Sequence, residues 1–295
     1  MESFRISKMS EFTRKAAKTD YELLNTRKAI REKISDIDWQ SVTDEMNENG
    51  YSLVPQFLHD RYCKEIIDEY DNSELYRKTI TMERHSFGLG QYKYFNYPLP
   101  DLIQTIREAI YSRLVPIANT WMEMLKIERL YPDKFDDLQR LCHENNQIKP
   151  TVLILKYGKG GHNTLHQDLY GNIFFPFQLV FFLNEIDDDY TGGEFVLTQQ
   201  IPRAQSKAIV LRPRKGDMLI ITTNFRPVKG GKGSYRAQMK HGVSEVHDGE
   251  RHVLGIIFHD ALTELHTSTQ QDEIRSAIKQ KRWRVQNLDF ALTGG

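Results

Sequence analysis

Asn163-Thr164-Leu165-His166-Gln167-Asp168-Leu169-Tyr170-Gly171 follows the turn Gly158-Lys159-Gly160-Gly161, and the reading of this stretch decides the fold. On a strand, His166 and Asp168 project to one face and Gln167 to the other, because strand side chains alternate with period two. A third ligand must then arrive from a distant strand. His241 is the candidate, since Gly242 permits close approach and Val243 continues a strand-like run. Two imidazoles and one carboxylate on one side of a metal leave the opposite positions open, the ligand set used for Fe(II) in non-haem oxygenases. Zinc accepts the same donors and is the competing metal. Downstream, Arg251 opens the next apolar segment, where a guanidinium fork can hold a carboxylate in bidentate fashion. Zinc hydrolysis needs no such arginine, whereas an Fe(II) enzyme using 2-oxoglutarate does. The expected metal ligands are therefore His166, Asp168 and His241, with Arg251 as the cosubstrate anchor.

Three further histidines compete for the third position. His252 neighbours Arg251 and so faces the opposite side of its strand. His259-Asp260 closes the last strand and reads as structural, and His247 lies outside the strand-like run.

Outward from this stretch, short β-rich runs cover 151–157, 163–169, 177–183, 194–199, 207–211, 217–223, 235–246 and 252–258, separated by Gly and Pro turns. About eight strands without intervening helices point to a sandwich or jelly roll rather than βαβ units. Upstream, Gly50 to Pro55 reads as a short strand and Leu58 to Tyr70 as a helix. Leu99 to Ile127 has helical spacing, with Pro116 expected to kink or divide it. The expected class is α+β with a mainly β core. The expected organisation is a charged helical extension over 1–40, a helical support region over 41–150, the β core over 151–262 and a tail over 263–295.

The 295 residues carry 40 basic and 40 acidic side chains, so no global field favours a polyanion. In the N-terminal extension, Phe12, Tyr21, Leu24 and Ile30 are sparse apolar positions among mixed charges, which reads as one or two amphipathic helices, solvated and packed on the domain surface, or else as an arm that touches nucleic acid. Two distant cysteines, Cys63 and Cys142, lack metal-ligand spacing and read as reduced thiols. No apolar run has the length of a membrane span and no secretory core opens the chain, so a cytoplasmic protein without a membrane partner is expected.

The segments Pro150-Thr151-Val152-Leu153-Ile154-Leu155-Lys156-Tyr157, Asn163 to Gly171, Thr191-Gly192-Gly193-Glu194-Phe195-Val196-Leu197, His241-Gly242-Val243-Ser244 and Leu254 to Ala261 resemble the Fe(II)/2-oxoglutarate dioxygenase superfamily. Within it the chain looks like the bacterial nucleic-acid oxygenases, related to AlkB-type demethylases and prolyl hydroxylases. The resemblance covers about Asn49 to Ala261. It implies a distorted jelly roll, the double-stranded β-helix, braced by N-terminal helices. It also implies Fe(II) as cofactor, with 2-oxoglutarate and dioxygen as cosubstrates and succinate and carbon dioxide as products. Arg251 matches by its separation from His241 the 2-oxoglutarate anchor of prolyl-hydroxylase-like enzymes. Tyr157 matches a tyrosine that contacts 2-oxoglutarate, and Asn163 is placed to add a hydrogen bond.

The resemblance implies oxidative demethylation of N-alkylated nucleobases. The other readings are hydroxylation of an amino acid, peptidyl residue or small metabolite, and a binding module that has lost turnover. The stretch 84–95, Arg84-His85-Ser86-Phe87-Gly88-Leu89-Gly90-Gln91-Tyr92-Lys93-Tyr94-Phe95, mixes aromatics and cations suited to a stacked base, or to sealing the barrel mouth. Asn224 to Gly233 reads as a mobile basic loop near the active-site rim.

Overall fold

A computed structural model describes residues 23–263 except Pro202 and Lys232, so Phe12, Tyr21 and the tail beyond 263 lie outside the described residues. Seven antiparallel strands form the larger sheet, in the order β1 (Tyr51–Val54), β12 (Met218–Thr222), β8 (Phe177–Phe182), β16 (Arg251–Ile257), β6 (Leu153–Tyr157), β4 (Gln91–Phe95) and β2 (Tyr76–Thr81). The smaller sheet has the order β11 (Lys207–Leu211), β10 (Phe195–Gln200), β14 (Gly233–Val243), β7 (His162–His166) and β3 (Gly88–Leu89), with β13 (Phe225–Gly230) also paired to β14. Two small pairs complete the strands: β9 (Tyr190–Gly192) with β15 (Val246–Gly249), and β5 (Gln147–Lys149) with β17 (Ala261–Leu262). Two facing antiparallel sheets joined by crossovers are the double-stranded β-helix.

Alternation explains why the central strands are apolar throughout. On β8, Phe177, Leu179 and Phe181 face a helical layer, whereas Val180 and Phe182 face the smaller sheet, where they meet Phe195, Leu197 and Met239. On β12, Met218 and Ile220 take the first side and Leu219 and Ile221 the second. Both faces are covered, so the sequence shows a continuous run rather than a period-two pattern.

The helical layer comprises α1 (residues 23–35), α2 (Trp39–Asn49), α3 (Asp60–Asp68), α4 (Asp101–Met124) and α5 (Phe135–Glu144). Asp38 caps α2 by accepting hydrogen bonds from Gln40 N and Ser41 N. In α4, Tyr111 and Trp121 are fully buried, with ring centroids 4.9 Å from Phe175 and 4.8 Å from Phe177. The helix runs through Pro116 undivided. Pro116 is exposed, so the backbone hydrogen bond it removes lies on the water side, while buried residues before and after it hold the helix on the sheet.

The segment 41–150 departs from its helical expectation, because it also supplies β1, β2, β3 and β4 to the two large sheets. Polar and charged residues alternate with few apolar ones in β2, which is an edge strand buried only at Ile80. Such a strand gives little periodic signal.

Arg107 and Asp260, 0% and 1% exposed, tie α4 to the end of the larger sheet. Arg107 donates to Ile257 O (3.1 Å), Phe258 O (2.9 Å), Asp260 Oδ1 (3.0 Å) and Tyr97 Oη (2.8 Å). Asp260→Ala strands that guanidinium, and should cost about 3–5 kcal/mol of stability in urea unfolding. An unchanged unfolding midpoint would mean that the pair contributes no net stability.

Candidate metal centre and cosubstrate pocket

Strands β7 and β14 pair so that His166 and His241 stand directly opposite, with ring centroids 4.3 Å apart. The close approach depends on Gly242, where a Cβ would lie 2.6 Å from Asn163 O. β7 ends at His166, so Asp168 occupies the following loop and not the strand expected over 163–169. The loop is held by Gln167, which faces away from the cluster and donates to Asn224 Oδ1 (2.8 Å) and Met239 O (2.7 Å). Asp168 is thereby delivered to the histidines from beyond the strand end. Its Oδ2 lies 3.2 Å from His241 Nε2, and its Oδ1 lies 3.7 Å from His166 Nε2.

His166 Nδ1 donates to Thr164 O at 2.7 Å, which leaves the Nε2 lone pair aimed at the cluster. Burial, reinforced by His241, pushes the His166 pKa below its ordinary value and favours the neutral ligand form. Burial opposes ionisation of Asp168, but the two histidines and Gln178 outweigh it and hold the carboxyl below the usual range. Asp168 Oδ1 accepts from Tyr170 Oη (2.9 Å) and Oδ2 from Gln178 Nε2 (3.0 Å). One ligand atom from each of His166, Asp168 and His241 falls within 4.8 Å of the others. A carboxylate and two imidazoles gathered so closely fit a divalent cation.

These residues line one end of a cavity of about 400 Å³ between the sheets. Arg251 and Tyr157 share its wall because they are cross-strand partners on β16 and β6. Arg251 is 1% exposed, and its Nε and both terminal nitrogens have no hydrogen-bond partner among the described residues. Three rings surround it, Tyr157 and Phe182 at 5.5 Å and Tyr190 at 5.8 Å. Gly193 backs the site, since a Cβ there would lie 3.0 Å from Arg251 Cδ, at a positive φ of 61°. A buried guanidinium without an acceptor calls for an anionic ligand, and a carboxylate matches its fork. Tyr157 Oη accepts from Asn163 Nδ2 at 3.3 Å, and burial pushes the phenol up to about 12. Asn163 and Tyr157 both line the cavity.

The rival histidines supply no ligand atom to the cluster. His252 Nδ1 lies 3.1 Å from Asn184 Oδ1 and its ring packs on Tyr70, and His247 is exposed. His259 Nδ1 accepts from Phe175 N (3.2 Å), and burial holds this imidazole down at about 4. Of the stretch 84–95, Phe87, Tyr92 and Tyr94 line the cavity, whereas Arg84 and His85 are exposed. The expected loop over 224–233 is instead largely β13, whose Phe225 and Pro227 point inward, so most of it belongs to a hairpin with β14. The cluster also includes two residues to which sequence reading gave no role, Tyr170 and Gln178. Gln178 was detectable as the one polar residue in Phe177–Phe182.

A double-stranded β-helix enclosing a His/Asp/His cluster and a buried arginine defines an Fe(II)- and 2-oxoglutarate-dependent dioxygenase. The chain belongs to the family described as an oxygenase catalysing oxidative methylation of damaged DNA, which matches residues 90–261. It is 43% identical over 167 residues to an uncharacterized protein found in two strains of Mycobacterium tuberculosis, covering 57% of this chain and 72% of the relative. Similar solved structures include a Pseudomonas putida prolyl-4-hydroxylase, at 13% identity and TM-score 0.47 over 76% of this chain and 100% of that one. A Trichoplax adhaerens prolyl hydroxylase, solved with a hypoxia inducible factor peptide, gives 14% identity and TM-score 0.47 over 81% and 93%. Among the described residues no helix is long and apolar enough to cross a membrane.

Proposed function

We propose that this oxygenase oxidises the methyl group of an N-alkylated nucleobase held in the cavity between the two sheets. The observation that carries the reading is the lining of that one cavity. Phe87, Tyr92 and Tyr94 supply aromatic faces, Arg77, Lys78 and Lys149 supply cations, and His166, Asp168 and His241 converge on the same space. A planar base stacks on aromatic rings, and its phosphates seek cations, so base and backbone are both provided for. The formal net charge of zero confines the attraction to this lining rather than to the whole surface.

In this reading His166, Asp168 and His241 hold Fe(II), and Arg251 binds the far carboxylate of 2-oxoglutarate. Tyr157, steadied by Asn163, orients the cosubstrate beside Arg251. Fe(II) with 2-oxoglutarate supplies the oxidising chemistry, in which dioxygen oxidises a substrate C–H bond and decarboxylates the 2-oxo acid to succinate and carbon dioxide. The protein's own residues orient the two reactants and exclude water. Val180, Phe195, Val243 and Val253 give the cavity apolar walls, which limits solvent at the reacting end. A hydroxylated N-methyl group collapses to the free base and formaldehyde.

Succinate formation measured over methylated oligonucleotides and over a panel of amino acids and peptides tests the substrate. Methylated DNA or RNA should stimulate turnover with stoichiometric formaldehyde. Stimulation by an amino acid or peptide alone, with none by any methylated base, would replace this reading with a hydroxylase.

A further inference from the structure

Gln178 stands on the inner face of β8, is 3% exposed, and reaches two of the three proposed metal ligands with one atom. Its Nε2 lies 3.0 Å from Asp168 Oδ2 and 3.3 Å from His241 Nε2. An ionised carboxylate only accepts hydrogen bonds, so the nitrogen and not the oxygen of the amide must face Asp168. That nitrogen also lies against His241 Nε2, which is itself 3.2 Å from the same carboxylate oxygen.

We propose that Gln178 is a positioning residue that holds the Asp168 carboxylate beside His241, ready for the metal. His241 itself is held mainly by packing and by its contact with Asp168. Its Nδ1 is buried without a partner among the described residues, and its ring is otherwise stacked on Phe195 at 5.9 Å and 11°. His166 is held differently, by the hydrogen bond from its Nδ1 to Thr164 O. Tyr170 supplies the second donor to Asp168, so each carboxylate oxygen keeps one hydrogen bond and still has a lone pair for a cation.

The arrangement is not one that stability alone would select. Gln178 Oε1 is buried with no partner, and the neighbouring positions of β8 are all apolar, so an apolar side chain of equal length would suit the strand better.

The inference rests on the ligand assignment above, and the test separates the two. Co(II) binding to the full chain is followed by calorimetry and by the visible d–d bands, for wild type and for Gln178→Met. The variant should melt at the wild-type temperature or higher, yet bind Co(II) roughly 10–100-fold more weakly and with altered band positions. Gln178→Asn, which withdraws the amide by one methylene, should lose affinity likewise, and it serves if the methionine variant fails to fold. Wild-type affinity and bands in a folded variant would overturn the role of Gln178. Failure of the wild type to bind Co(II) would overturn the metal site, and this inference with it.

Discussion

Asp168→Ala should abolish both metal binding and succinate formation. Asp168 is the single anionic donor of the cluster and the group on which the other residues converge, through contacts with His166, His241, Tyr170 and Gln178. Its removal leaves two neutral imidazoles to hold a dication and strands the Tyr170 and Gln178 donors. Loss of a ligand should exceed the roughly 10–100-fold loss that follows removal of an outer hydrogen bond. Because His166 and His241 keep Asp168 ionised well below the usual carboxylate range, wild-type binding should not depend on titration of this residue near neutral pH. Calorimetry with Co(II), alongside succinate measured in the presence of Fe(II), checks both halves. A folded Asp168→Ala protein with wild-type affinity would remove Asp168 from the ligand set.

Arg251→Ala should have the next largest effect, and a different one. Metal affinity should persist, since Arg251 sits among Tyr157, Phe182 and Tyr190 and not in the His/Asp/His cluster. Affinity for 2-oxoglutarate should fall by about 30- to 1000-fold, corresponding to roughly 2–4 kcal/mol for a buried carboxylate losing a bidentate partner. Anaerobic titration with 2-oxoglutarate, followed by the visible charge-transfer band, measures it. Undiminished affinity would reassign the anchor, and Arg236, the next arginine upstream, is exposed over the Phe225 ring rather than inside the cavity.

Residues that chemistry requires in a fixed order were legible in the sequence; residues that work by proximity were not. His166, Asp168 and Gly242 could be placed because period-two alternation and a glycine's small size have local consequences. The alternation argument nevertheless put Asp168 on a strand, when the loop pinned by Gln167 carries it. Gln178 and Tyr170 reach Asp168 through side-chain hydrogen bonds that no local pattern announces. In the fold, the apolar runs of β8, β12 and β16 stood out because both faces are covered. The strands β2 and β4 did not, because their apolar residues are interrupted by Arg77, Lys78 and Lys93, which belong to an edge or rim. The basic stretch from Asn224 to Gly233 read as a loop since Pro and Gly dominate it, yet Pro227 sits inward on an outer strand where a missing N–H is tolerated.

The strand order of the larger sheet also sets a timetable for synthesis. Tyr51 of β1 pairs with Ile221 of β12, and Gln91 of β4 reaches the sheet only through Lys156 of β6, whose other neighbour is β16. Strand β1, partly apolar, therefore waits unpaired for a partner made much later, and the β2–β4 pair waits likewise for β6. Loop closure of that length is slow, and the waiting edges are open to pairing with another nascent chain. Helix α2 directly precedes β1 and α4 follows β4, and both carry buried apolar residues of their own. By collapsing early onto β1, α2 would shelter in the growing chain the same surface that it covers in the finished enzyme.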